Sequence, residues 1–304
     1  MRIVGIGEIL WDVFENEEHL GGAVFNLAAQ SARLGHDVYY VSAVGLDERG
    51  GRALERMRGL GLPAAYVGRV SQAPTGVVTV TVDGGGQPSY VIHRPAAYDF
   101  AELTAEELAG LVASRPDWIC FGTLYQMHPN ARALTRRLLE ANPDAPRFYD
   151  VNLRRDSYTP ELVRELLAAS GVVKLNDGEV AAIREMLALP GGSIEEFCRR
   201  NAEVFGWRAV CVTQGDAGCC VLDGREFVES PGYEVTVADA VGAGDAFSAA
   251  FLHGLGSGWP IERTADFANR VGAFIASRSG GTPEWSLDVL DAELPSRLGA
   301  MDRG

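Results

Sequence analysis

Lysine is almost missing from this chain. Lys174 is the only one among 27 lysines and arginines in 304 residues. No G-x-x-x-x-G-K-[ST] loop occurs, so phosphates are not cradled in the P-loop manner. The dinucleotide fingerprint is missing too: after Gly242 and Gly244 its third glycine falls on Phe247, and "GIGEIL" also lacks it. No apolar run approaches the ~20 residues that cross a bilayer. "MRIVGIGEIL" is short, carries Glu8, and reads as a buried strand rather than an export signal. The five cysteines form no C-x-x-C pair, and the five histidines show no metal-ligand spacing. Buried thiols in a reducing cytoplasm, without a structural metal, are the expectation. Positive charge is also scarce. A net charge of -14 argues against nucleic acid or an anionic membrane as partner, while leaving room for a phosphorylated ligand held locally.

What is present is alternation. "RIVGIG", "DVYYVSAVG", "DWICFG", "RFYDVN", "GVVKLN" and "AVCVTQG" read as strands. Between them lie helical patterns such as "GGAVFNLAAQSARLG", "ERGGRALERMRGLG", "PNARALTRRLLEA" and "SIEEFCRRNAEVFG". Strands that alternate with helices predict parallel pairing and an α/β, three-layer, doubly wound architecture in a single domain spanning 1–304. One segment breaks the rhythm. Residues 75–95 alternate with period two on both sides of "DGGGQP", a hairpin signal with no helix between. An isolated hairpin is marginal in water and needs a partner, for which the extended stretch around 9–20 is the candidate. The two insertions, approximately 10–20 and 66–98, predict a small β-sheet serving as a lid or as a homodimer interface. An ordinary edge hairpin is the plainer alternative.

"DAVGAGD" (239–245) carries the chemistry. Gly242, Ala243 and Gly244 let backbone N–H groups converge without side chains intruding, and the helix that follows adds its positive end. Together they form an anion hole. A carboxylate beside it, Asp245, is placed to take a proton from a hydroxyl that attacks a phosphoryl group. An N-cap aspartate after a flexible turn would leave a similar trace.

The same segment resembles the C-terminal signature of the ribokinase-like, phosphofructokinase-B-type carbohydrate kinases. "GGAVFNLAAQSARLG" (21–35) is similar to their N-terminal signature. "VSAVGLDERG", "DVNLR", "KLNDGE", "VTQGDAG" and "GGTP" follow in the family's order, so the resemblance covers the whole chain. It implies a ribokinase-like fold and an ATP-dependent sugar kinase with Asp245 as general base. Asp12, Gly21, Gly22 and Asn26 would meet the sugar, a carboxylate being able to accept from two adjacent hydroxyls at once. Arg94 matches a lid arginine, and Arg154 is assigned to phosphate or sugar.

On the nucleotide side the resemblance implies Asn176, Thr213, Gly215, Gly218 and Asn269. Glu179 of the N-x-x-E element would order magnesium through water, although "NDGE" also reads as a capping box. With a single lysine, phosphate charge is expected to rest on magnesium, arginine and the anion hole. Asp239, Val241, Arg278 and Gly280 match positions whose carbonyls hold a monovalent cation, potassium, in the family. "GEILWDVF" joined to "HLGGAVFNLA" is similar to the bacterial fructokinase branch, which makes D-fructose the expected acceptor. A 2-keto-3-deoxygluconate kinase, a ribokinase and a sugar-sensing protein on the same fold are the alternatives. An oxidoreductase fits the rhythm of elements alone.

Overall fold

Successive strand residues in the main sheet face opposite hydrophobic layers. Ile3, Cys120, Phe148, Val172 and Cys211 enter one core, while Val4, Ile119, Tyr149, Val173 and Val210 enter the other. This is the side-chain period of a strand covered on both faces, and it explains why these segments read as nearly continuous apolar runs. The computed structural model describes residues 1–82 and 88–298.

The chain opens with β1 (Arg2–Ile6), β2 (Leu10–Val13), β3 (Glu18–Gly21), α1 (Ala23–Arg33), β4 (Asp37–Gly45) and α2 (Glu48–Gly59). Then come β5 (Val67–Val70), β6 (Gly76–Val82), β7 (Pro88–Ile92), α3 (Ala105–Ser114), β8 (Trp118–Gly122) and α4 (Pro129–Ala141). The middle is built from β9 (Arg147–Asp150), α5 (Pro160–Ala168), β10 (Val172–Asn176), α6 (Asp177–Met186) and α7 (Ile194–Phe205). Next are β11 (Ala209–Thr213), β12 (Cys219–Asp223) and β13 (Glu226–Ser230). The last helices are α8 (Ala243–Gly256), α9 (Ile261–Ala276) and α10 (Leu287–Glu293).

Nine strands form one sheet in the order β13-β12-β11-β10-β9-β8-β1-β4-β5. All pairs from β11 to β5 are parallel, and β12 and β13 close one edge antiparallel. The α/β reading is therefore correct. One face carries α1, α8 and α9, whose Phe25, Phe251 and Phe274 pack onto it. The helices from α3 to α7 contribute Leu111, Leu138, Leu166, Ile183 and Phe197 to the other. Chain order reverses where β1 lies between β8 and β4. Open α/β sheets bind ligands at such a reversal, beyond the carboxyl ends of the strands.

A second, four-stranded sheet has the order β3-β2-β6-β7. The two period-two segments thus pair with each other, and β2 joins them in parallel with β6, Asp12 opposite Val78. The turn expected at "DGGGQP" lies outside the described residues for 83–87. All five cysteines are free and buried. No helix among the described residues is long and apolar enough to cross a membrane.

Candidate active site

A cavity of about 930 Å³ opens between the carboxyl edge of the main sheet and the small sheet. Its floor is the start of α8. The N-cap is Gly242 with φ 76, and no side chain caps the helix. A Cβ on Gly242 would sit 2.4 Å from the Gly281 Cα, so glycine is required by both dihedral and space. The N–H groups of Gly244 and Asp245 find no partner among the described residues. They are the orphan donors of a helix start, turned toward the cavity wall that Gly242, Gly244 and Asp245 form.

Asp245 is therefore the third residue of the helix rather than its cap. It is 9% exposed, and its Oδ2 accepts the Asn26 Nδ2–H at 2.8 Å. Burial pushes its carboxyl from 3.8 up to about 7, and the charge of Asp150 adds to the rise. Asn26, Lys174 and Arg154 oppose that shift. A carboxylate that titrates near neutrality is suited to accept a proton during a reaction.

Beneath this turn lies a network the sequence reading left out. Lys174 in β10 is in register with Asp150 in β9, and its Nζ lies 3.3 and 3.4 Å from the two Asp150 oxygens. Ser248 donates to Asp150 Oδ2 at 2.7 Å and lies 2.9 Å from the Gly244 carbonyl. Lys174 is 6% exposed, yet it lines the cavity, and a Cβ on Gly244 would come 3.3 Å from its Nζ. Lys174 is thus a cation beside the glycine loop that the expectation of magnesium, arginine and the anion hole did not count. The one lysine lies directly under the glycine loop.

The opposite wall belongs to the small sheet and its surroundings. Asp12, Gly22, Asn26 and Arg154 all line the cavity, while Gly21 backs it, a Cβ there coming 3.0 Å from Asp12 Oδ2. Burial pushes the Asp12 carboxyl up to about 6, opposed by Arg154 and His19 and reinforced by Glu8 and Asp239. The Arg154 guanidinium makes no hydrogen bond or ion pair among the described residues. Arg94 is different. Its guanidinium is bound to the buried Asp99 and donates to the Leu124 carbonyl at 3.1 Å, so it does not line the cavity. In this arrangement it braces the wall instead of reaching into it.

The remaining expected residues divide. Asn176 and Thr213, at the ends of β10 and β11, line the cavity. Glu179 does not. Its Oε1 accepts the Leu153 N–H at 2.7 Å and its Oε2 the Asn176 N–H at 2.8 Å, while Asn176 Oδ1 accepts the Glu179 N–H. The capping box is real and occupies the carboxylate. Gly215 and Gly218 also lie outside the wall. Gly218, at φ 102, is packed so that a Cβ would meet the Ser230 carbonyl. Asn269 in α9 donates to the Ser230 and Pro231 carbonyls and is buried away from the cavity.

Asp239 joins the two loops of the expected cation site, accepting the Val241 N–H at 2.9 Å and the Gly280 N–H at 3.1 Å. Val241 and Gly280 line the cavity, whereas Arg278 points to Glu293 and stacks on Phe274. The described residues contain no group of three or more His, Cys, Asp or Glu able to hold a metal ion.

With this geometry the comparisons are consistent. The family model for pfkB family carbohydrate kinases matches residues 5–287. The chain is 26% identical over 321 residues to an ATP-dependent ribose-1-phosphate kinase of Halopiger xanaduensis, covering 98% of this chain and 99% of that protein. It is 27% identical over 284 residues to fructokinase-1 of Oryza sativa subsp. japonica, covering 88% and 86%. Among solved structures, the 2-dehydro-3-deoxygluconokinase of Thermotoga maritima superposes with a TM-score of 0.85 at 18% identity, covering 96% of this chain and 98% of that one.

Proposed function

The chain belongs to the pfkB family of carbohydrate kinases, and from that premise we propose that it transfers the γ-phosphoryl group of ATP to a primary hydroxyl of D-fructose. The observation that carries the chemistry is Asp245, buried at the start of α8 between Asn26 and two unpartnered backbone N–H groups. Its carboxylate takes the proton of the acceptor hydroxyl as that oxygen forms its bond to the γ-phosphorus. The bond from that phosphorus to the β–γ bridging oxygen breaks, and the charge leaves with ADP. The Gly242-Ala243-Gly244 backbone, the helix dipole and Lys174 receive the negative charge carried by the transferring group.

The nucleotide enters along Asn176 and Thr213, with Gly215, Gly218 and Asn269 shaping the loops farther from the reacting atoms. Magnesium is part of the substrate, arriving on the ATP phosphates with most of its waters. Glu179, whose two oxygens hold the Leu153 and Asn176 N–H groups, would act on that water shell only indirectly, through the backbone it fixes. A monovalent cation would sit between the loops that Asp239 ties together. The carbonyls of Asp239, Val241, Arg278 and Gly280, which accept no hydrogen bond among the described residues, would hold it and stiffen the loop carrying the anion hole. The small sheet acts as the lid.

The acceptor is read from charge. Glu8, Asp12, Glu17, Asp239 and Asp245 line the cavity against Arg154 and Lys174, and Lys174 is already paired with Asp150. Such a wall favours an uncharged polyol over an acidic sugar. One observation favours the second reading, 2-keto-3-deoxygluconate: the unpaired Arg154 could meet its carboxylate. An ATP-coupled assay across D-fructose, D-ribose, 2-keto-3-deoxygluconate and adenosine decides between them. The highest kcat/KM is expected for D-fructose. A keto acid value well above it would overturn the acceptor while leaving the transfer chemistry intact, and no turnover of any sugar would favour a sensing role.

A further inference from the structure

Glu8 follows β1 at the carboxyl edge of the sheet, and the phosphoryl transfer described above does not use it. It is 2% exposed and lines the cavity. Its backbone carbonyl accepts the Tyr40 hydroxyl at 2.8 Å. Its Oε1 accepts the Ala23 N–H at 2.8 Å, which is the first N–H of α1. That bond fixes where α1 starts, and one carboxyl oxygen suffices for it. The second, Oε2, is buried and has no partner among the described residues.

A buried polar atom without a partner is unfavourable. Of the residues lining the cavity, only Asn26, through Oδ1, shares that condition among the described residues. Asn26 stands one turn further along α1 and holds Asp245 with its Nδ2. The two orphaned oxygens therefore flank the first turn of one helix, in the cavity that Asp12 also lines. Burial holds the Glu8 carboxyl above its usual range, with its own backbone N–H first, then the Ala23 N–H, Arg154 and Arg94, opposing. In either protonation state the Oε2 side offers a hydroxyl a hydrogen bond.

We propose that Glu8 is an acceptor-binding residue whose Oε2 side takes a sugar hydroxyl other than the one that is phosphorylated. This rests on the sugar-kinase reading. Glu8 would then discriminate among polyols by the presence of that one hydroxyl, while Asp245 acts on the reacting one.

The test is a cycle between the residue and the hydroxyl, run on monodeoxy analogues of D-fructose, or of whichever sugar in the panel the wild type turns over best. Failure of the fructose reading is thus visible in the wild type alone and does not touch this inference. In the wild type, removing the hydroxyl bound by Glu8 is expected to lower kcat/KM by about tenfold or more. In Glu8→Ala that penalty shrinks to within about twofold, the other deoxy penalties persist, and KM for ATP stays unchanged. Glu8→Gln keeps an oxygen for the Ala23 N–H and changes the penalty at the same hydroxyl only, which separates binding from helix anchoring should the alanine variant fail to fold. Deoxy penalties identical to wild type at every hydroxyl in both soluble variants, or in Glu8→Gln alone if Glu8→Ala does not fold, would overturn the assignment and leave Glu8 as an anchor of α1.

Discussion

Asp245 is held by Asn26 from α1, Gly244 is tied through Ser248 to Asp150, and Asp150 is paired with Lys174. Apart from the Ser248–Gly244 bond inside α8, each of these contacts joins different elements. Across the cavity, β7 presents Tyr90 and Val91 about half exposed, at 51% and 52%, and its strand has a neighbour only on the β6 side among the described residues. The floor is wired and buried, and the facing sheet is thin and open. Preorganised groups stabilise developing charge without reorganising during the reaction, so rigidity belongs under the phosphoryl group. A sheet that must admit a sugar and then exclude water needs the opposite property.

The sharpest way to break this contrast is at the floor. Lys174→Met leaves the Asp150 carboxylate buried without its partner, a loss of about 3–5 kcal/mol for such pairs. A large drop in urea midpoint is expected, with much of it restored in the double variant Lys174→Met, Asp150→Asn. An unchanged midpoint in the single variant would show that the pair does not hold the floor together.

Asp245→Asn comes next, with turnover lowered by ~10²-fold or more and KM values for ATP and sugar within a few-fold. Because the base must be unprotonated, wild-type kcat should rise as pH passes through about 7, and this limb should vanish in the variant. Stability should move the other way. The folded carboxyl binds its proton more tightly than the unfolded one, so the wild type loses stability as pH rises from about 4 to about 7. Asp245→Asn is expected to be more stable than wild type, with a difference in Tm that grows across that range and levels off above it. Near-wild-type turnover, or a Tm difference independent of pH, would sink the assignment of the base.

The smallest effect is expected at the thin wall. Saturating sugar should slow amide exchange in β6 and β7 several-fold and leave the first turn of α8 nearly unchanged. Slowing that follows protein concentration instead of sugar would identify the small sheet as an interface between two copies of this chain.

How much of this was visible in the sequence depends on the distance over which a contact acts. The six central strands of the main sheet (β1, β4 and β8 to β11) were legible because they are buried on both faces and bounded by glycine or polar turns. The edge strands β5 and β13 are only partly covered and left no such run. The partner of the hairpin was legible because both small-sheet segments interrupt the same alternation. Asp245 stood out because "GAGD" concentrates its meaning in four adjacent residues. The Lys174–Asp150 pair left no such trace: the residues are 24 apart, and only sheet register brings them side by side. Arg94 carries a hint in Asp99, five residues later, but nothing local says that Asp99 is fully buried. Asn269 was expected at the nucleotide, and its bonds to the Ser230–Pro231 loop depend on chain 38 residues away or more.

Gly242 lies against Gly281, backbone to backbone, with no room for even a methyl group on the first. That contact has a consequence for descent. Any substitution at Gly242 adds a side chain that must push against the Gly281 backbone, so mutation there is expected to be removed by selection. Lineages built on this arrangement are therefore expected to keep the loop. Novelty in what they phosphorylate must then accumulate on the small sheet and at residues such as Glu8 and Arg154, where a substitution changes a contact without moving the backbone.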